Sequence, residues 1–198
     1  MTATSLRTLR RYLPGKQVER CELCGAELPR AHGHLIDIQT RRFSCACEAC
    51  SVLFVHRGNS GLRRTGRRVC VLLGFRMTDA EWEDLRIPIG LAFFVTNDEN
   101  HVTALYPGPA GPIESLLTLH SWSGIVWRNP ILQQMEPEVE ALLVNRIGDR
   151  RDYYLAPIDR CYELAGLIRT HWRGLSGGDE VWRQIAEFFA LLEEAGRA

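Results

Sequence analysis

Lysine is almost missing from this chain: of 24 basic residues only Lys16 is a lysine, and the other 23 are arginine. The bias runs from end to end, so no single arginine can be taken as a recognition residue on its type alone. Long apolar runs are missing as well. No stretch approaches 18 consecutive apolar residues, which excludes an evident membrane-spanning helix. Residues 1–20 carry Arg7, Arg10, Arg11, Lys16 and Arg20 without the apolar core of a secretory signal. The expectation is a cytoplasmic protein that does not insert into a membrane and whose thiols stay reduced.

The usual catalytic signatures are absent too. There is no GxSxG and no HExxH. The stretch RGLSGGD (173–179) is glycine-rich, but it lacks the Lys-Ser or Lys-Thr pair of a Walker loop, and no GxGxxG follows a strand. Asp179 and Glu180 would repel a phosphate there while complementing a helix dipole, so a turn between helices is the better reading. His101, His120 and His171 stand singly and read as structural histidines. No nucleophile constellation, enzyme activity or small-molecule substrate is expected.

Net charge is zero, but its distribution is uneven. Residues 1–68 hold 13 bases and five acids, a surplus of eight positive charges, and residues 69–198 hold 11 bases and 19 acids, a surplus of eight negative charges. Such a contrast suits either an anionic partner for the first part or two parts that attract each other.

Cysteine is what the chain does have in one place. Five of its seven cysteines fall within residues 21–50: Cys21 and Cys24 in CELCG, then Cys45, Cys47 and Cys50 in CACEAC. Two CxxC pairs supply four thiolates, the number that completes the tetrahedral shell of a structural zinc site. The 22 residues between Cys24 and Cys47 lie slightly beyond the usual window of about 15–20 for such a pair of pairs. Gly25, just past the second cysteine, permits the positive φ that turns backbone amides toward the sulfurs. The favoured ligand set is Cys21, Cys24, Cys47 and Cys50. Cys45 and His34 remain alternative ligands, with His32 beside them in HGH. Zinc is the simplest ion, and four thiolates also suit iron. A disulfide framework is the competing reading of the same cysteines. Cys70 and Cys161 sit in apolar runs and read as small core residues.

Around these cysteines, HLIDIQT (34–40) and RRFSC (41–45) predict a hairpin, and SVLFVH (51–56) a further strand. Knuckle, hairpin, knuckle is the plan of a zinc ribbon or a rubredoxin, although Ser51 stands where a symmetrical rubredoxin-like site would have glycine. Residues 1–20 form a basic lead-in with a short helix over 5–13, residues 21–56 the metal-binding module, and RGNSGLRRTGRR within 57–68 an Arg/Gly-rich linker. No aromatic residue is interleaved in that linker for bases to stack on, so nucleic acid is not the expected partner, and a nucleic-acid-binding ribbon is kept only as an alternative.

Residues 69–198 read as a mixed α+β domain. Thr78 and Glu81 form a capping box that starts a helix. LAFFVT (91–96) with HVTALYP (101–107), and VEALLVNRI (139–147) with DYYLAPI (152–158), predict two hairpins. PGPAGP (107–112) predicts a rigid turn with no regular structure. A helix is expected over about 119–129, ending before Pro130, and helical spacing in DRCYELAGLIRTHW and DEVWRQIAEFFALLEEA predicts two terminal helices. The five tryptophans read mostly as core.

The motifs CELCG, HGHLID, RRFSCACEAC, IPIGLAFF, YPGPAGPIESLL, EVEALLVNR, YYLAPIDRCYELAGLIR and WRGLSGGDEVW resemble an uncharacterised, mainly actinobacterial family encoded beside uptake nickel-iron hydrogenase genes. The resemblance runs from Cys21 to about Phe189 and places Cys21, Cys24, Cys45, Cys47 and Cys50 in the shared cysteine pattern. It implies an accessory protein for hydrogenase assembly or function, whose partner is a hydrogenase subunit or maturation protein. A rubredoxin-like electron carrier is the alternative that the four thiolates leave open.

Overall fold

A computed structural model describes residues 18–55, 61–108, 110–115, 122–174 and 176–197. The helix expected over 5–13 and His120 lie outside the described residues. The architecture is α+β: a small cysteine-bearing, zinc-ribbon-like module precedes a mixed domain that ends in two helices.

The module is built on an antiparallel hairpin, β1 (Gly33–Asp37) with β2 (Arg42–Ala46), in the register His34 opposite Cys45. Asp37 closes the turn by accepting hydrogen bonds from the amides of Gln39 and Thr40. Next comes helix α1 (Glu48–Val55), which corrects the strand expected over 51–56. The β-branched and aromatic run SVLFV favours a strand by propensity. Local bonding overrides it: Ser51 N donates to Cys47 O at 2.9 Å, and Glu48 supplies an acidic first turn. The stretch 57–68, expected as a linker, contributes β3 (Leu62–Arg64), which pairs with β1 and completes a three-stranded sheet in the order β2-β1-β3.

The larger domain is a six-stranded antiparallel sheet in the order β4-β9-β8-β5-β6-β7, comprising β4 (Cys70–Val71), β5 (Leu91–Thr96), β6 (Val102–Gly108), β7 (Gly111–Glu114), β8 (Glu140–Asn145) and β9 (Asp152–Pro157). Both expected hairpins are present, β5 with β6 and β8 with β9. The PGPAGP stretch does not exclude regular structure: Pro107 pairs with Pro112 and Gly108 with Gly111. Pro112 is tolerated because β7 is an edge strand, where a missing amide breaks no inner ladder, and Pro107 lies beyond the part of β6 that pairs with β5. Gly111 takes φ +124, which a side chain would resist.

Both faces of this sheet are covered, which explains why its central strands read as continuous apolar runs. Neighbours on one strand serve opposite cores: Phe93 packs with α4 (Ile158–His171) and α5 (Asp179–Arg197), whereas Phe94 packs with α2 (Asp79–Asp84) and α3 (Trp122–Arg128). The two phenylalanines are fully buried, and burying each side chain contributes about 1.5–3 kcal/mol. The capping box of α2 forms as expected from Thr78 and Glu81. Cys161 is buried in the first core and Cys70 packs at the edge of the second. Trp122 is core and stacks on Phe94, but Trp127 projects into solvent, contrary to the expectation for the tryptophans as a group.

The module is joined to the domain by packing and by charge. Ile36 belongs to the main core, and Phe43 meets Tyr162 edge-on at 4.9 Å. Arg63 pairs with Asp98 and Arg68 with Glu140, each at 2.5 Å, and Arg41 reaches Glu138 at 3.9 Å. Each of these pairs sets a base from residues 1–68 against an acid from residues 69–198. The opposed charges of the two parts are therefore at least partly spent on each other.

Candidate metal centre

The first cysteine pair is held by a tight knuckle. Arg20 bridges to Glu27, Cys21 N donates to Ala26 O, and Gly25 N donates to Cys21 O, each at 2.8 Å for the last two bonds. Gly25 takes φ +76, the conformation that its place after CxxC predicts. The knuckle is tied to the hairpin by Glu22, whose amide donates to Cys45 O at 2.9 Å and whose carboxylate accepts from Cys45 N at 2.8 Å. The second pair lies at the start of α1, where Cys50 N donates to Cys47 Sγ at 3.4 Å.

These elements bring Cys21, Cys24, Cys47 and Cys50 together, with their sulfurs within 4.8 Å of one another. The Cys24 and Cys47 sulfurs stand 3.7 Å apart. In a zinc tetrahedron with bonds of about 2.3 Å, neighbouring sulfurs are about 3.8 Å apart, so the cluster has the dimensions of a four-sulfur shell. All seven cysteines are free thiols, which sets aside the disulfide framework. Cys21 and Cys50 are buried, Cys47 is half-buried and Cys24 reaches solvent.

The four thiols are electrostatically unequal. Burial alone would raise the Cys21 thiol, but hydrogen bonds from the amides of Cys47, Leu23 and Cys24, with a smaller contribution from the Cys24 thiol, outweigh it and bring it down to about 6. Burial, reinforced by hydrogen bonding among the neighbouring thiols, pushes Cys50 up to about 12. One sulfur is thus ready as an anion at neutral pH while another yields its proton only to a strongly competing cation.

Cys45 and His34 stand apart from these four. They gather with His32 into a second group whose ligand atoms also lie within 4.8 Å of one another. His34 Nδ1 donates to Asp159 at 2.7 Å, and this bond raises the imidazole above its ordinary value despite partial burial. Asp159 had no signal in the sequence as a site residue, because it lies 125 residues from His34 at the start of α4. His101 is exposed beside Glu99, and His171 Nδ1 bonds to Leu167 O at 3.0 Å. A cleft of about 290 Å³ lined by Asn145, Ile147, Arg150, Trp182, Ile185, Ala186 and Phe189 gathers no histidine, cysteine or carboxylate. No described helix is long and apolar enough to cross a membrane.

Fold and site together define an α+β protein with a candidate metal-binding cysteine cluster on a zinc-ribbon-like module. The chain belongs to the family described as Family of unknown function (DUF5947), whose family model matches residues 20–196. No curated protein and no solved structure matches it.

Proposed function

We propose that this is a non-catalytic, metal-binding accessory protein of the cytoplasm that acts through protein contacts, with a nickel-iron hydrogenase subunit or maturation protein as partner. The observation that carries the metal reading is the convergence of Cys21, Cys24, Cys47 and Cys50 at the spacing of a four-sulfur shell. Zinc is the ion this set suits best, since it accepts four thiolates in a closed tetrahedral site. It would act as a staple. Among the described residues the apolar cluster beneath the site is Cys21, Leu28 and Cys50, flanked by Cys45, Cys47 and Phe54, too little core to hold the knuckle and the start of the helix together unaided, whereas the hairpin is anchored to the main core through Ile36.

Support for the partner is the resemblance carried by CELCG, RRFSCACEAC and YYLAPIDRCYELAGLIR, which implies the company of uptake hydrogenases. The pairing of Arg41, Arg63 and Arg68 with acids of the same chain favours a protein partner over nucleic acid, because those arginines are already engaged.

Two measurements test the reading. Protein purified without chelator should be colourless and contain zinc. A red protein with thiolate-to-iron absorption would redirect it to electron transfer. Pull-down from a hydrogen-oxidising host should recover a hydrogenase or maturation component. Recovery of none, together with intact hydrogenase activity after gene deletion, would end the partner assignment.

A further inference from the structure

The histidines of HGH and the fifth clustered cysteine form an arrangement that the four-thiol site does not use. His34 on β1 faces Cys45 on β2 across the hairpin, and His32 meets His34 edge-on with ring centroids 4.9 Å apart. One ligand atom from each of the three lies within 4.8 Å of the others.

The hydrogen bonds fix which ring nitrogens are free. His32 Nδ1 lies 3.0 Å from Pro29 O and 3.5 Å from a carboxylate oxygen of Glu19. Both neighbours only accept, so Nδ1 carries the proton and Nε2 keeps a lone pair. That Nε2 is buried with no hydrogen-bond partner, on a side chain only 7 % exposed. A buried acceptor left unpaired is costly, and a cation is one of the few groups that would satisfy it.

His34 repeats the pattern with a carboxylate. Its Nδ1 donates to Asp159 Oδ2, leaving Nε2 as the free nitrogen of the neutral ring. Asp159 is itself held as an acceptor, by Thr65 Oγ1 at 3.2 Å and by the amide of Arg160 at 3.0 Å. A carboxylate that orients an imidazole through Nδ1 while Nε2 takes the metal is the usual outer support of histidine ligands.

We propose that His32, His34 and Cys45 form a second metal site, distinct from the four-thiol cluster, that takes a zinc-class divalent ion through two imidazole nitrogens and one thiolate. Two nitrogens and a sulfur suit late first-row ions and disfavour magnesium or calcium, which take oxygen ligands. Three protein ligands leave a fourth position open, the arrangement of sites that exchange a ligand, in contrast to the closed shell of the cysteine cluster. Through Asp159, occupancy of this site would bear on the contact between β1 and α4.

The test is titration of the full reduced chain, stripped of metal, with cobalt(II) as a spectroscopic probe and then zinc. The wild type is expected to bind two ions. His32→Gln and Cys45→Ser should each bind one, retaining the intense sulfur-to-cobalt absorption of the four-thiol site, with far-ultraviolet circular dichroism confirming the fold. Asp159→Asn should weaken the second ion by about 10–100-fold and leave the first unchanged. Two ions retained by both His32→Gln and Cys45→Ser would overturn the proposal. So would a single ion in the wild type that is lost in Cys47→Ala, whether or not Cys45→Ser also loses it. A single ion lost in Cys45→Ser but kept in Cys47→Ala would support the second site while removing the four-thiol reading, so the two can fail separately.

Discussion

The two ends of this molecule are held together by different means. Among the described residues the C-terminal domain has two cores of buried residues, 18 of its own joined by Ile36 of the module on the face of α4 and α5, and 12 on the other face of the sheet. The knuckle and the start of α1 share three, two of which are cysteines. A sheet covered on both faces gains stability in proportion to the apolar area it removes from water. A segment of thirty residues has little such area, and on the proposed reading ligand bonds supply the rest by converting metal affinity into folding energy. On that reading one chain contains a region stable by packing beside a region stable by coordination, joined through Ile36, Phe43 and His34.

The sharpest way to break this contrast is to remove the ion. Cys47→Ala, or chelation of the wild type, should abolish hydrogen-exchange protection of the knuckle and α1 while β5, β8 and β9 stay protected, because a structural zinc contributes about 10 kcal/mol or more. Unchanged protection of Cys21 to Cys50 would mean that packing alone suffices there. The converse experiment is Phe94→Ala, which should cost the sheet about 3–5 kcal/mol in denaturant unfolding and leave metal content at its wild-type level. A loss of metal in that variant would show that the two regions unfold as one.

Charge offers a finer probe of the joint. Glu140 is buried and accepts from Arg68 and from the amide of Glu136. Arg68→Ala would strand that carboxylate, at a cost of about 2 kcal/mol, and Glu140→Gln in the same chain should recover part of it. No recovery would place the effect of Arg68 elsewhere. Arg63 and Asp98 are both substantially exposed, so Arg63→Ala should cost only about 0.2–1 kcal/mol, with the effect vanishing at high salt.

Much of this was legible in the sequence where the signal is local. Cys21, Cys24, Cys47 and Cys50 announce themselves by spacing, Gly25 by its place after CxxC, and Thr78 with Glu81 by the capping box. The hairpins β5–β6 and β8–β9 and the two terminal helices follow from periodicity over long segments. What the residues did not reveal depends on bonding that propensity does not report, local in one case and non-local in the others. SVLFV has strand propensity but becomes α1 because Cys47 starts a helix, Leu62–Arg64 becomes a strand because β1 presents an edge, and PGPAGP enters the sheet because β7 lies at its margin. The bond from His34 to Asp159 spans 125 residues, and no pattern in either neighbourhood points to the other.

The most direct test is elemental analysis of the full chain, isolated without chelator, side by side with Cys47→Ala. Convergence of four thiolates on one cation predicts that the wild type contains one ion per chain more than the variant. Equal metal in the two, or none in either, would contradict it.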